Sequence, residues 1–358
     1  MAQNQTARKR GASRVIKRIL MVLCALIAAL AIVVFALWGG ELSTLKTLSR
    51  VEDDVNLFTM EYKADYALDE FLKAGASTDA ELVDFIVRQM LKGIPLNFDL
   101  PNLGCSTFAA QLTDGTPIFG RNFDMYDSPA LFVTTRPKDG YASISMVNLA
   151  YIGYNSESLP TSLTKSIMTL AAPYAPLDGV NEKGLAVGVL QIKTTPTNQQ
   201  TDKVDITTTS AIRLLLDRAA TVEEAVELLS QYDMHASAGS CYHFHIADAK
   251  GGSVIVEYID DEMSVVQGDA ATNFLLTPGE YDFGSGEDRY AVLRETLDAN
   301  GGIFESEEQA MELLKAVSQP VSEEKKSSTQ WSCVYNQQDA GVEIAMNMDY
   351  EKVYTFGL

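Results

Sequence analysis

The chain has 358 residues, 46% of them hydrophobic, which is enough for one large domain or two small ones around a packed core. It carries 28 basic against 48 acidic residues, a formal net charge of −20. Such an acidic body, with no basic and aromatic-laced patch, repels nucleic acid and excludes it as a partner, and its acidity reads as a solubilising surface.

The charge is uneven along the chain. Residues 1–18 form a basic tail with Arg8, Lys9, Arg10, Arg14, Lys17 and Arg18 and no acid. Residues 19–38, from Ile19 to Trp38, read "ILMVLCALIAALAIVVFALW" without a charge. About 20 such residues cross a bilayer as one helix. Because the cations all precede this run, the positive-inside bias places the tail in the cytoplasm and everything after Gly39 outside. A cleaved signal peptide would have a shorter apolar run and a small-x-small cleavage site. "FALWGG" is a poor version of such a site, and Leu23 before Cys24 argues against a lipoprotein. The expectation is an uncleaved, single-pass membrane anchor. With Cys24 inside it, only Cys105, Cys241 and Cys333 remain outside, an odd number that leaves at least one thiol free.

Residues 39–104 read as a helical pro-segment and linker. "ADYALDEFLKAG" and "TDAELVDFIVRQMLKGI" space apolar residues as helices do, with Thr78 as N-cap and Gly93 near a stop. "PLNFDLPNLG" breaks this regularity at Pro95 and Pro101 and delivers the chain to Cys105. From there the pattern changes to strands: "CSTFAAQLTDGTPIFGRNFD" is a hairpin about "DGTP", followed by "ALFVTTRP", "ASISMVNLAYIGY" and "GLAVGVLQIK". "TTSAIRLLLDRAA" and "TVEEAVELLSQY" are helices, the second opened by a Thr221–Glu224 capping box. "YHFHIADAKGGSVIVEYI", "MSVVQG" and "TNFLLTP" read as strands, and "EDRYAVLRETLDA" and "SEEQAMELLKAVS" as helices. "WSCVYNQQ", "GVEIAMNM" and "KVYTFG" close the chain as strands. Strands in blocks with paired helices between them predict an α+β domain over 105–358, with antiparallel sheets covered by helices.

Cys105, in "NLGCSTFAAQ", is the candidate nucleophile. A thiol needs a base to become thiolate at neutral pH. The histidines are His235, His243 and His245; the last two share one face of a predicted strand and read as satisfied strand residues. An H-x-H pair also binds metals, but no third ligand is evident. The other available base is the α-amine of Cys105 itself, with an ordinary pKa of ~7.7–8.0, which requires a cut after Gly104. The hairpin places Arg121 and Asp124 on the strand facing Cys105. There, Asp124 is suited to hold the freed amine, and Arg121 to lower the thiol pKa and bind a substrate carbonyl or carboxylate.

"GCSTFAAQLTDGTPIFGRNFDMY" resembles the start of the catalytic domain of the choloylglycine hydrolase and penicillin V acylase family, cysteine members of the N-terminal nucleophile hydrolases. "DGVNEKGLAVGVL", "ATNFLLTP", "GSGEDRYAVL" and "TQWSCVYN" extend the resemblance over about residues 100–358. It implies a four-layer αββα sandwich and hydrolysis of a linear amide in a small N-acyl substrate, with no cofactor or metal. By resemblance, Cys105 is nucleophile and, through its amine, base, while Arg121 and Asp124 tune thiol and amine. The Asn181 backbone amide and the Asn273 side chain donate to the oxyanion, and Arg289 stabilises the site's charge. Simple members expose the cysteine by losing one methionine. Here 104 residues precede it, so cleavage is obligatory, as in the acid ceramidase branch. Two alternatives stay open: a non-catalytic envelope binding protein on the same fold, and a papain-like peptidase using His243 or His245.

Overall fold

A computed structural model describes residues 17, 19–29, 32, 38–98, 104–126, 128–321 and 326–358. Among them no helix is long and apolar enough to cross a membrane. The expected anchor over 19–38 falls partly outside the described residues, at 30, 31 and 33–37; residues 19–29 are helical and exposed.

In chain order the first elements are β1 (Ser49–Arg50), β2 (Leu57–Tyr62), α1 (Leu68–Ala74) and α2 (Asp79–Gln89). The hairpin follows as β3 (Gly104–Leu112) and β4 (Pro117–Met125), then β5 (Ala130–Thr135), β6 (Ser143–Asn148), β7 (Pro176–Asn181), β8 (Ala186–Ile192) and β9 (Val204–Thr207). α3 (Thr208–Arg218) and α4 (Val222–Ser230) lead into β10 (Tyr232–His235), β11 (Cys241–Ala247), β12 (Ser253–Ile259), β13 (Glu262–Gln267) and β14 (Ala270–Ala271). α5 (Glu287–Asn300), β15 (Ile303–Phe304) and α6 (Glu307–Ala316) precede β16 (Ser328–Asn336), β17 (Gly341–Met346) and β18 (Val353–Gly357).

The strands form two large sheets. A nine-stranded sheet runs β1-β2-β5-β6-β7-β8-β11-β12-β13, and a seven-stranded sheet runs β14-β3-β4-β16-β17-β18 with β15 on β3. α3 packs on β7 and β8 and α4 on β11 and β12, while α5 and α6 cover β3, β4 and β16. The alternation of strand side chains sets which residues meet between the sheets. Arg121 of β4 reaches Asp178 of β7, and Thr107 of β3 reaches His245 of β11. Their neighbours Asn122 and Phe108 turn the other way, toward α6 and α5. The result is a helix–sheet–sheet–helix stack in a mixed α/β fold. Because β7, β8 and β11 are covered on both faces, every one of their residues is buried.

Residues 38–98 depart from the helical expectation. β2 pairs in parallel with β5 from Leu57↔Ala130 to Tyr62↔Thr135 and extends the nine-stranded sheet. Its own residues explain this: Met60 and Tyr62 are buried around exposed Glu61, a period of two with aromatic and β-branched neighbours. Phe71 of α1, Phe85 of α2 and Tyr174 then form a cluster of rings 5.2–5.7 Å apart. A second departure is "TNFLLTP". Residues 272–277 form a loop, because the Leu276 and Thr277 amides bind the Glu257 carboxylate instead of a neighbouring strand. Of the cysteines, all four are free thiols, and Cys105, Cys241 and Cys333 are buried.

Candidate active site

Cys105 sits at the start of β3, fully buried, opposite Phe123 of β4 in the hairpin register. Gly104 pairs with Asp124, and a Cβ on residue 104 would lie 3.0 Å from Asp124 Oδ2 and Gln319 Nε2. A side chain at 104 would press the Asp124 and Gln319 side chains back by a few tenths of an ångström.

Two side chains bond the cysteine backbone, and Asp124 and Ser106 join them through Arg289. Cys105 N–H donates to Asn273 Oδ1 at 2.8 Å. Arg289 Nη1 donates to the Cys105 carbonyl and to Ser106 Oγ, both at 2.6 Å, and reaches Asp124 Oδ2 at 3.4 Å. Its Nη2 donates to Asn273 Oδ1 at 3.0 Å. Arg289 lies in the first turn of α5, after Gly286 at φ 93°. A Cβ there would come within 2.5 Å of Nη2, so glycine is what lets the side chain fold back into the site. Asp124 is held by Thr329 Oγ1, donating at 2.6 Å, and by Gln319 Nε2.

Arg121 comes from the same face of β4, two residues beyond the register of Cys105. Its guanidinium is fully buried and lies against the thiol, while its Nε donates to Asp178 Oδ2 at 3.3 Å. Tyr335 donates to the other Asp178 oxygen. Apart from the thiol, Arg121 Nη1 and Nη2 have no hydrogen-bond partner among the described residues. Two buried donors aimed at a nucleophile form a ready anion or carbonyl site. Burial pushes the Cys105 thiol up to about 11, against the opposing pull of Arg121 and Arg289. In the uncut chain the thiol is therefore protonated at neutral pH.

Asn181 stands apart from this group. Its backbone N–H donates to the Leu185 carbonyl at 3.0 Å, and its side chain holds the carbonyls of Leu216 and Ala219 at 3.0 and 2.7 Å. It stabilises the turn between β7 and β8 and has no amide to spare. Gln191, at the far end of β8, lies nearer the site, its carbonyl accepting from Asn273 Nδ2 at 2.9 Å.

The histidines are engaged elsewhere. His235 bonds Asn198 and Asp205, His243 bonds Glu257 and the Thr272 carbonyl, and His245 bonds Thr107 and Ser253. With both ring nitrogens of each occupied, none is placed as a base for Cys105, and the papain-like alternative loses its support. Asp178, Gln191, Gln319 and Thr329 were not singled out from the sequence. Asp178 and Gln191 stand within "LDGVNEKGLAVGVLQ", on strands buried on both faces, so no alternation in the sequence marks the residues that face the site.

Comparison with known proteins bears on the family and the fold. Residues 105–278 match the family model of linear amide C-N hydrolases, choloylglycine hydrolase family. A penicillin V acylase from Pectobacterium atrosepticum is 34% identical over 102 residues, covering 25% of this chain and 26% of that protein. The matched stretch thus spans about a quarter of that relative. A mutant of the conjugated bile acid hydrolase from Clostridium perfringens has a similar structure, with a TM-score of 0.53 and 16% identity over 71% of this chain and 92% of that one. Penicillin V acylase from Agrobacterium tumefaciens gives a TM-score of 0.50 at 18% identity over 71% and 86%. These likenesses establish the fold, a mixed α/β fold similar to that of the bile acid hydrolase and the penicillin V acylase.

Proposed function

We propose, for a chain whose residues 105–278 match the choloylglycine hydrolase family of linear amide C-N hydrolases, that Cys105 is the nucleophile of an amidase acting on an N-acyl compound. The observation that carries this reading is the pairing of Asn273 and Arg289 with the Cys105 backbone, with Asp124 held beside them by Arg289 and Arg121 against the thiol.

The reading requires a cut between Gly104 and Cys105. The thiol attacks the Gly104 carbonyl, the acyl group moves from nitrogen to sulfur, and water hydrolyses the thioester, leaving Cys105 with a free amine. Fixed geometry replaces the entropy of an encounter in this step. In turnover the amine takes the thiol proton, and the thiolate attacks the substrate acyl carbon. Asn273 Nδ2 has one proton engaged with Gln191 and a second for the oxyanion, a donor worth ~10²–10³ in kcat in well-studied enzymes. The ammonium then protonates the leaving amine, and water, deprotonated by the amine, hydrolyses the thioester to free acid. Arg121 stabilises the thiolate and Asp124 orients the amine.

The same reading places the domain outside the cell, tethered by residues 19–38 with the basic tail in the cytoplasm. Protease added to intact cells is expected to digest or release the domain; protection until lysis would reverse the orientation. The activity is tested with a panel of penicillin V, conjugated bile acids, N-acyl amino acids and N-acyl homoserine lactones. Cys105→Ala is expected to abolish hydrolysis of whichever is cleaved while keeping the fold. Retained hydrolysis by that variant would reject Cys105 as nucleophile.

A further inference from the structure

His243 and Glu257 lie on β11 and β12, fully buried, and neither touches Cys105. Their bonds converge instead on one segment, residues 272–277. His243 Nε2 donates to the Thr272 carbonyl at 2.7 Å. Glu257 Oε1 accepts from the Leu276 amide at 2.7 Å and Oε2 from the Thr277 amide at 2.8 Å. His243 Nδ1 meets Glu257 Oε1 at 3.1 Å and ties the two anchors together. Burial pushes the Glu257 carboxyl up, but His243 and these amides outweigh it and hold the group below its ordinary value.

Between the anchored ends stands Asn273. Its backbone exchanges bonds with Ser285 at 3.2 and 2.9 Å, and its side chain holds Cys105 N, Arg289 Nη2 and the Gln191 carbonyl. Beyond this single bridge the segment has no strand ladder, so side chains supply the rest of its placement. A buried carboxylate is costly unless fully bonded, and among the described residues this one is bonded to His243 and to the segment bearing Asn273. We infer that His243 and Glu257 are positioning residues that hold the Asn273 carboxamide at Cys105. The inference rests on the amidase reading for its effect on turnover, but not for its effect on the segment.

The test uses the full chain. Hydrogen exchange is measured in the peptide covering 272–277, and kcat and KM are measured with penicillin V and glycocholate. His243→Ala is expected to speed exchange at the Leu276 and Thr277 amides. It should also lower kcat by about tenfold or more, with KM within about twofold, because the oxyanion donor is displaced. His243→Gln, which keeps a donor for the Thr272 carbonyl, should recover kcat to within about threefold. In an Asn273→Ala background, His243→Ala should cost less than about twofold, since a residue acting through Asn273 has nothing left to act on. If His243→Ala does not fold, Glu257→Gln, which keeps volume and one acceptor, should give the same pattern at smaller size. An unchanged kcat, or an equal loss in the Asn273→Ala background, would overturn the inference. A wild type that cleaves neither probe would count against the amidase reading alone; exchange then decides, and unchanged exchange would overturn the inference.

Discussion

Cys105, Arg121 and Asp124 were legible because a hairpin is local: two-residue alternation across "DGTP" puts them on facing strands, and the register confirms Cys105↔Phe123 and Gly104↔Asp124. The residues that restrain them were not legible. Asp178 reaches Arg121 from the other sheet, and Gln319 and Thr329 reach Asp124 from 195 and 205 residues later, so only the fold brings them together. His245 carries a consequence for pH. Burial, with the charges of His243 and Arg121, lowers its pKa from 6.5 to about 3. Between those values the unfolded chain binds a proton that the folded chain refuses. The stability due to neutral His245 is therefore present above about pH 6.5 and is lost as pH falls toward 3, at up to about 1.4 kcal/mol per pH unit. Denaturant melts across this window should show a shallower acid slope for His245→Gln than for wild type. Parallel slopes would mean that His245 titrates normally in the fold.

At the scale of elements, the helices over 208–230 and 287–316 follow from local periodicity and caps: Thr221 accepts from Glu224 N and Ser306 from Gln309 N. The elements that were misread depend on distant partners. β2 becomes a strand by pairing with β5, and residues 272–277 lose theirs to Glu257. Leu57, Met60, Tyr62, Phe71, Leu82 and Ile86 are each at most 4% exposed, and burying such a side chain contributes about 1.5–3 kcal/mol. Phe71→Ala, which empties the centre of the ring cluster with Phe85 and Tyr174, is expected to cost about 3–5 kcal/mol. The loss should appear as one cooperative transition of the whole domain at lower temperature. A separate early transition that leaves the catalytic sheets unaffected would show that residues 38–98 form an independent unit.

For the whole molecule, the pairing of β2 with β5 in the nine-stranded sheet bears on the proposed cleavage before Cys105. Removing residues 38–98 would strip the β5 edge of its ladder and expose the apolar surface beneath α1 and α2, an unfavourable outcome for a sheet. The two fragments are therefore expected to elute together in native size exclusion and to separate only in denaturant. Elution of residues 105–358 alone would contradict this.

The central claim is that Cys105 works as a free N-terminus, and its most direct measurement is the N-terminal sequence of the active species. In the uncut chain the Cys105 nitrogen is an amide donating to Asn273, with no basicity, and the thiol is pushed up to about 11, so the precursor should be silent. Active fractions should contain a fragment beginning Cys-Ser-Thr-Phe, at residues 105–108, and Cys105→Ala should remain uncut. Full hydrolytic activity from a preparation whose only N-terminus lies before Gly104 would contradict the account.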